Sequence, residues 1–439
     1  MSPHHLSARF LGSFAYLTVK DRLPAILTQI IDRVHRHHAH FVKTHGEEGG
    51  EAGKKVVSLL SKLRSELLTD KPLQQLEDGH SDCEIWNEYL GWQRTKLQPG
   101  EEPSWFKSPW LYVECYMYRK VQEIVLRCEP LCEFDVFADL KLKSFMDSQR
   151  AIMTLADHAG NILDNIGNLK EDDLKDTFMK LLQVSLWGNK CDLSISGGLD
   201  NAQKADPLAA LWNLRSHILV DDSESVWSVL NKRKRSPESA SSFRLDIALD
   251  NAGFELFTDL VLVEFLQSAN LVDQVHFHGK SMPWFLSDIT KEDFVKTIKT
   301  LCSTNHRWTS RLGVRWHKRV QDGLWTYHDH DFWTLPHDYA DMVTRSPELY
   351  AELQCAQLIL FKGDLHYRKL LGDLQWEHTT SFAEALRGFE PSPLCSLRAL
   401  KADIQVGLKP GQAEQLSGTD AKWMVSGEYA IVQFHSPVH

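Results

Sequence analysis

The second half of the chain alternates short apolar runs with longer segments of helical pattern. The runs are LDIAL (245–249), VHFHG (275–279), LWTYH (324–328) and LILFKG (358–363). Strands separated by helices pair in parallel, because a parallel connection needs a long crossover, and the helices then cover both faces of the sheet. This alternation predicts an α/β fold, a doubly wound, Rossmann-like three-layer α/β/α domain over residues 191–439.

Residues 1–190 carry a helical periodicity instead. In KKVVSLLSKLRSELL the apolar residues recur at the spacing of one helix face: Val56, Leu59, Leu60, Leu63 and Leu67. The segment SPWLYVECYMYRKVQEIV places Ser108 as a helix cap and Pro109 at the first helical position, which is a typical helix start. We therefore expect an all-helical N-terminal domain before the α/β domain.

Charge and cysteine usage narrow the class of protein. The chain of 439 residues has a net charge of −10, whereas nucleic acids and anionic membranes attract basic surfaces, so we expect neither as a partner. The eight cysteines form no C-x-x-C pair, which argues against a zinc ribbon. No signal-peptide segment and no uncharged apolar run of about 18 residues occur. These features predict a folded cytoplasmic protein with reduced thiols.

A basic run, Lys232 to Arg235, lies within NKRKRSPESASS (231–242). Such a run is typical of nuclear-import signals. A solvated loop rich in serine and proline is the simpler interpretation of the same residues. Nuclear entry therefore stays open beside the cytoplasm.

Three other motifs resemble known sites but lack a required part. His37 and His40 lie on a predicted helix, where a solvated helix end explains them. His328 and His330 would share one face of a strand, but no third zinc ligand of fitting spacing lies nearby. GGEAGKKV has neither the glycine spacing nor the Ser or Thr of a phosphate loop, and no strand leads into G-x-G-x-x-G. ATP and nicotinamide dinucleotides are therefore not expected.

Polar residues follow two of the predicted strands. Asp250 and Asn251 come directly after LDIAL, and Asp288 lies in the loop after VHFHG. The crossover between these strands makes them parallel, so both carboxyl ends open at one edge, where ligands bind in such sheets. Two carboxylates and an amide carbonyl there suit magnesium or manganese better than zinc. A helix cap with an Asx turn explains Asp250 and Asn251 without any metal, and the pair alone does not decide.

Basic residues follow the later strands. LILFKG runs into Asp364-Leu-His-Tyr-Arg-Lys369, and Arg398 and Lys401 lie near a strand further along. A metal together with cationic groups offsets the charge on phosphoryl oxygens while water attacks in line. Acids on the early strands and bases on the late ones therefore predict phosphoryl transfer on a small phosphorylated metabolite.

Five motifs occur in an order that belongs to one family: LWGNKCDLS (186–194), LDNAGFEL (249–256), FKGDLHYRKL (361–370), RALK (398–401) and IQVGLKPGQ (404–412). By these motifs the chain resembles the metal-dependent damage-control phosphatases, in the sugar-phosphate phosphatase subfamily that is also named acidic residue methyltransferase. The resemblance covers nearly the whole chain, including the helical N-terminal domain. It implies a phosphatase acting on fructose 1-phosphate, fructose 6-phosphate or related damaged phosphometabolites, with manganese, nickel, cobalt or magnesium as cofactor.

The resemblance also implies roles for individual residues. The metal-binding residues of the family fall on Asp250, Asn251 and Asp288. Its substrate-binding residues fall on that Asp-Asn pair and on Asp364, Leu365, His366, Tyr367, Arg368 and Lys401. Asn189 and Asp192 are candidate cleft residues, for which a structural turn is an equal alternative. The chain departs from the family at Ala399, where Thr is usual, and at His366, where Asn is usual. These departures bear on which sugar is preferred, because a lost hydroxyl or amide leaves a substrate group unsatisfied.

Three functions compete. In the leading hypothesis, Asp250, Asn251 and Asp288 hold the cation, Lys401 and Arg368 clamp the phosphate, and Asp250 or Asp288 orients the water. Direct attack by water is favoured, because a phosphoaspartyl route usually has Asp-x-Asp after the first strand. The alternative is an S-adenosylmethionine-dependent carboxyl methyltransferase with Glu255 near the cofactor, but LDNAGFE offers only one glycine. An interaction module without catalysis is the third.

Overall fold

The computed structural model describes residues 3–188, 214–235 and 242–437. Its first part is helical, with α1 Phe14–Leu17, α2 Leu23–Arg36, α3 His38–Leu68, α4 Cys83–Arg94, α5 Trp110–Leu126, α6 Ala138–Asp147, α7 Gln149–Asn165 and α8 Glu171–Leu186. A π-helical turn, Thr18–Arg22, joins α1 to α2. The predicted apolar face of α3 is buried except at Leu59, which is half-buried. Helix α5 begins one residue later than predicted, because Pro109 is its cap.

A seven-stranded sheet forms the centre of the second part. Its strands are β1 Ile218–Asp221, β2 Arg244–Ala248, β3 Gln274–His278, β4 Trp325–His328, β5 Leu358–Lys362, β6 Leu394–Ala399 and β7 Ala430–His435. The order is β1-β7-β6-β5-β2-β3-β4, and all neighbours are parallel except β6 and β7. The predicted α/β class is therefore confirmed, and the pair β1 and β7 at one end of the sheet runs antiparallel to the other five strands.

Helices cover both faces of this sheet. They are α9 Ser223–Arg235, α10 Phe254–Ser268, α11 Lys291–Cys302, α12 Arg307–Gln321, α13 Met342–Arg345, α14 Pro347–Leu353, α15 Asp364–Leu370, α16 Phe382–Ala385 and α17 Gln412–Thr419. Thr290 and Asp293 form the predicted capping box of α11. No helix in the described ranges is long and apolar enough to cross a membrane.

The side chains of β5 show how the two faces are filled. Ile359 and Phe361 pack into one core with residues of α2 to α5, whereas Leu358 and Leu360 pack into a second core with α7, α8 and α10. This alternation follows from the two-residue period of a strand. The N-terminal helices therefore pack on both faces of the sheet, and the division at residue 190 stays a prediction.

Candidate active site at the carboxyl edge of the sheet

The loops after β2 and β3 are joined by backbone hydrogen bonds. Asn251 and Asp288 form an isolated antiparallel bridge, in which the Ala252 amide donates to the Ser287 carbonyl over 2.8 Å. The Ile289 amide donates to the Asp250 carbonyl over 3.0 Å. These bonds bring the predicted residues Asp250, Asn251 and Asp288 together at the carboxyl edge of the sheet.

A cavity of about 180 Å³ opens at this edge, between the sheet and the N-terminal helices. The sheet side contributes the predicted residues Asp250, Asn251, Glu255, Asp288, Asp364, Leu365, Arg368 and Lys401. The helical side contributes Arg22, Trp110, Glu114 and Leu186. A larger cavity of about 500 Å³ lies near the N-terminus, but no carboxylate lines it, so we place the chemistry in the smaller one.

Asp250 is held against the backbone at Gly363, the residue between β5 and α15. A Cβ atom on Gly363 would lie 2.1 Å from Asp250 Oδ2, and the φ angle of Gly363 is +88°, so only glycine fits there. Asp250 is half-buried and lines the cavity. This burial, and then the charges of Glu255 and Asp288, raise the pKa of its carboxyl well above the usual range, while Lys401 and Lys280 oppose the rise.

Asp288 is buried and incompletely satisfied. Its Oδ2 atom forms no hydrogen bond, although Lys280 Nζ lies 3.2 Å away as an ion pair. Burial raises the pKa of Asp288 to about 6 despite the opposing charge of Lys280. A buried carboxylate oxygen whose one close partner is an ion-paired lysine, beside a second carboxylate of raised pKa, is a place where a further cation is favoured. The oxygen donors present therefore fit a divalent metal ion.

Asn251 links the acids of the site. Its Nδ2 donates to Asp250 Oδ2 over 2.7 Å and to Glu255 Oε2 over 2.8 Å, while its Oδ1 accepts from Ser287 Oγ. The cap of α10 is Gly253, and no side chain caps that helix. The helix-cap alternative for Asp250 and Asn251 therefore does not describe their side chains.

Glu255, in the first turn of α10, is supported from beneath by a buried lysine. Lys362 Nζ lies 3.8 Å from Glu255 Oε1 and donates to Asp259 Oδ1 and Ser185 Oγ, each over 2.8 Å. Burial raises the pKa of Asp259 to about 6, with Lys362 opposing this rise. Lys362 thus supports Glu255 on the sheet side of the acidic cluster that Glu255 forms with Asp250 and Asp288.

Asp364 organises the basic part of the site. Its Oδ1 accepts from Arg398 Nε over 2.7 Å and from the Lys401 amide over 3.0 Å. Arg398 is fully buried and also donates to two backbone carbonyls of the loop after β6, so its guanidinium stabilises that loop. The ammonium of Lys401 is exposed on the cavity.

Arg368 lies in the cavity wall with its charge already paired. It donates to Glu114 Oε2 over 2.6 Å and to Asp373 Oδ1 over 2.8 Å. Its guanidinium lies 3.7 Å from the ring centre of Trp110. The charges of Asp373 and Glu114 keep its pKa high although burial opposes this.

Two members of the predicted substrate loop lie behind the cavity wall. His366 Nε2 donates to the Leu249 carbonyl over 3.0 Å, its Nδ1 contacts Tyr339 Oη over 2.5 Å, and burial lowers its pKa well below the usual range. Tyr367 donates to Gln433 Oε1 over 2.7 Å. Neither lines the cavity, because successive residues of a helix point in different directions.

Some residues of the site were not predicted from the sequence. Lys280 lies two residues after the last residue of β3, so the rule applied to the acids at the strand ends could have identified it. Glu114 and Arg22 come from N-terminal helices, and their position depends on tertiary packing. The candidates Asn189 and Asp192 lie outside the described residues.

Comparison with known proteins agrees with this geometry. The family model described as the damage-control phosphatase ARMT1-like domain matches residues 18–416. The chain belongs to this family. It is 55% identical to damage-control phosphatase ARMT1 of Danio rerio over 438 residues, which span 100% of this chain and 98% of that protein. It is 51% identical to damage-control phosphatase ARMT1 of Homo sapiens over 437 residues, 99% of each chain.

A solved structure also resembles the chain. The crystal structure of a DUF89 family protein from Pyrococcus horikoshii has a TM-score of 0.42 and 16% sequence identity, and the match covers 93% of this chain and 96% of that one. Membership of the damage-control phosphatase family makes this chain a metal-dependent phosphatase that acts on small phosphorylated substrates. The expectation from the sequence motifs is thereby confirmed at the level of the family and the reaction.

Proposed function

We propose that this phosphatase hydrolyses sugar phosphates, such as fructose 1-phosphate and fructose 6-phosphate, in the cavity at the carboxyl edge. The observation that carries the proposal is the charge of that cavity. Five carboxylates line a space of about 180 Å³. Glu114 and Asp364 are paired with arginines, which leaves Asp250, Glu255 and Asp288 without an arginine partner among the described residues, and Lys401, an exposed residue, lines the same space. A cation among the acids and a phosphate beside the lysine complement this arrangement.

Asp250, Asn251 and Asp288 would hold the metal ion through oxygen atoms. Carboxylate and amide oxygens favour manganese or magnesium, and the resemblance adds nickel and cobalt. When bound, the ion polarises a phosphoryl oxygen and lowers the pKa of a coordinated water. Asn251 Nδ2 also donates to both Asp250 and Glu255, so it fixes the position of one carboxylate relative to the other.

Lys401 is the phosphate contact that we propose, because its ammonium is exposed on the cavity. Asp364 holds the Lys401 backbone and Arg398 together, so it positions that contact. Arg368 is paired with Glu114 and Asp373, so we assign it to the shape of the cavity wall. Asp250, Asp288 or Glu255 would accept a hydrogen bond from the attacking water and orient it toward phosphorus.

Release of inorganic phosphate from fructose 1-phosphate and fructose 6-phosphate tests this function. The enzyme is stripped with EDTA and assayed with Mg²⁺, Mn²⁺, Co²⁺ or Ni²⁺ in turn. We expect activity only with an added metal, and we expect Lys401→Met to lower kcat/KM by about 10- to 100-fold, the loss of one charge-assisted hydrogen bond. Lys409→Met, at an exposed lysine that does not line the cavity, is the matched control.

Two results would contradict the proposal. Equal activity of the Lys401→Met and Lys409→Met variants would show that Lys401 does not contact the phosphate. If other phosphorylated metabolites react and both fructose phosphates do not, the proposed substrate class is wrong.

The methyltransferase alternative finds no supporting feature in the described residues. The loop after β2 carries one glycine, Gly253, where an adenosyl group usually meets a glycine-rich loop. The cavity is also smaller than the roughly 300–1,000 Å³ of sites for drug-sized ligands, whereas a sugar phosphate is a smaller molecule.

We also propose a cytoplasmic location. All cysteines among the described residues are free thiols, as expected of a reducing compartment. Nuclear import through the run that begins at Lys232 stays open. Neither nucleic acid nor membrane is proposed as a partner, because the net charge of −10 disfavours both.

A further inference from the structure

Two histidines and a glutamate meet on one face of the sheet, away from the cavity. His276 is in β3, His328 is at the end of the neighbouring strand β4, and Glu352 is in α14. All three side chains are partly buried, and one ligand atom from each lies within 4.8 Å of the others. None of the three lines the cavity at the carboxyl edge.

The distances between the ligand atoms fit one small ion. Glu352 Oε1 lies 3.5 Å from His276 Nδ1 and 3.4 Å from His328 Nδ1. Ligands bound at about 2.0–2.2 Å in a tetrahedral arrangement are about 3.3–3.6 Å apart. Two of the three separations therefore match those that a tetrahedral ion imposes.

The two imidazoles present the nitrogen that a metal needs. His328 Nε2 contacts Thr326 Oγ1 over 3.0 Å, and a donor proton at Nε2 leaves Nδ1 with a free lone pair. His276 Nδ1 is buried and forms no hydrogen bond. The rings are nearly parallel, with centroids 4.7 Å apart, so an ion requires one ring to turn about its Cβ–Cγ bond, which is a soft torsion.

The neighbouring charges lie mainly on Asp246. Arg244 donates to both oxygens of Asp246 over 2.7 Å and, at the longer distance of 3.5 Å, from Nη2 to Glu352 Oε1. His278 contacts the same Asp246 over 2.9 Å. Asp246 thus holds Arg244 and His278 by the shorter contacts, so an ion bound by Glu352 would replace only the 3.5 Å contact with Arg244.

We propose that His276, His328 and Glu352 bind a transition-metal ion such as Zn²⁺ at a second site. Two imidazole nitrogens and one carboxylate oxygen, with a water as the fourth ligand, select zinc, cobalt or nickel over magnesium. The partial exposure of the three side chains leaves room for that water. The ion would join β4 to β3 and α14. β4 lies at one edge of the described sheet, with β3 as its neighbour.

The proposal is tested by counting the metal ions bound to a variant that lacks the proposed metal site at the carboxyl edge. The full chain carrying Asp250→Ala and Asp288→Ala is stripped with a chelator and titrated with Co²⁺, whose visible absorption reports tetrahedral coordination. We expect one bound ion with that absorption. Adding His276→Gln and His328→Gln should weaken binding by at least about 10- to 100-fold, since even the loss of an outer contact does so.

His330→Gln is the matched control, because His330 is two residues from His328 and pairs with Glu348 instead. It should leave cobalt binding unchanged. Glu352→Gln keeps the shape of the site and should weaken binding even if the double histidine variant fails to fold. Absence of bound cobalt in the background variant, or equal binding after Glu352→Gln, would overturn the proposal.

Discussion

Two buried clusters of charge differ in how they are balanced. In the helical part, Arg119 donates to Asp78 over 2.6 and 3.0 Å and to Asp82 over 2.8 and 2.6 Å, and all three side chains are fully buried. At the carboxyl edge, Asp250 and Asp288 share a cavity with Glu255, and the nearest cationic group is Lys280 Nζ, 3.2 Å from Asp288 Oδ2. We call the first cluster balanced, because both of its carboxylates accept hydrogen bonds from Arg119, and the second unbalanced, because Asp288 Oδ2 forms no hydrogen bond.

The pKa values of Asp78 and Asp288 show the same difference between the two clusters. Burial alone would raise the pKa of Asp78, but the hydrogen bonds and charge of Arg119 lower it below the usual value. Burial raises the pKa of Asp288 to about 6, and the charge of Lys280 offsets only part of this rise. A satisfied cluster stabilises the fold, whereas an unsatisfied one is stabilised by a ligand.

The largest effect that we expect is on catalysis. Asp250→Ala removes a proposed metal ligand, so kcat/KM for sugar phosphates should fall by about 10³-fold or more, as when a main electrostatic group of an active site is lost. Phosphate release measured with saturating Mn²⁺ checks this. Full activity of the variant would show that Asp250 is not part of the site.

Breaking the balanced cluster should change stability. Arg119→Met removes the arginine that pairs with the buried carboxylates of Asp78 and Asp82, so the free energy of unfolding should fall by about 3–5 kcal/mol. Urea denaturation measures this fall. The folded fraction should keep its response to metal, and a loss of that response would mean that the two clusters are coupled.

Adding metal should affect only the unbalanced cluster. Mn²⁺ at a hundredfold excess over its Kd should raise the free energy of unfolding by about 2.7 kcal/mol, because it binds the folded state alone. Asp288→Ala should abolish this gain at the carboxyl edge, as measured by denaturation with and without Mn²⁺. An undiminished gain in that variant would place the manganese site elsewhere.

The two clusters should also differ in pH dependence, with an effect that is smallest when taken per pH unit. The folded pKa of Asp288 is about 6 and the unfolded value is about 3.9, so between these pH values the folded protein holds a proton that the unfolded chain has released. The metal-free protein should therefore lose about 1.4 kcal/mol of stability per pH unit as the pH rises through that window. Asp78 has a lowered pKa and contributes in the opposite direction, with its stability lost as the pH falls below about 4.

Comparing wild type with Asp288→Asn in urea at several pH values isolates the first contribution. Between about pH 4 and pH 6 the variant should lose stability less steeply than wild type, by about 1.4 kcal/mol per pH unit. If both proteins show the same slope, the carboxyl of Asp288 is not protonated in the folded state.

The sequence allowed the acidic half of the site to be predicted because it depends on a local rule. Asp250, Asn251 and Asp288 each follow a strand of one βαβ unit, and parallel strands end at the same edge. The pairing of Arg368 with Glu114 could not be predicted in this way, because those residues are 254 positions apart and meet only when α5 packs on the sheet.

The same distinction applies to the fold and to the second metal site. Alternating patterns indicated a parallel sheet, but the strand order and the antiparallel β7 follow from packing between distant segments. His328 was considered as a zinc ligand with His330, yet its partners in the structure are His276 on the adjacent strand and Glu352 on a later helix. A search along the chain near His328 does not reveal such a set.

The position of β7 has a consequence for how the protein is made. In the sheet order, β1 has β7 as its neighbour, although β1 ends at Asp221 and β7 begins at Ala430. At about 5–20 residues per second of translation, β1 waits about 10–40 s on the ribosome before its partner is synthesised. During that time its edge is open to pairing with other nascent chains, so β1 is the strand at which chaperone protection would matter most.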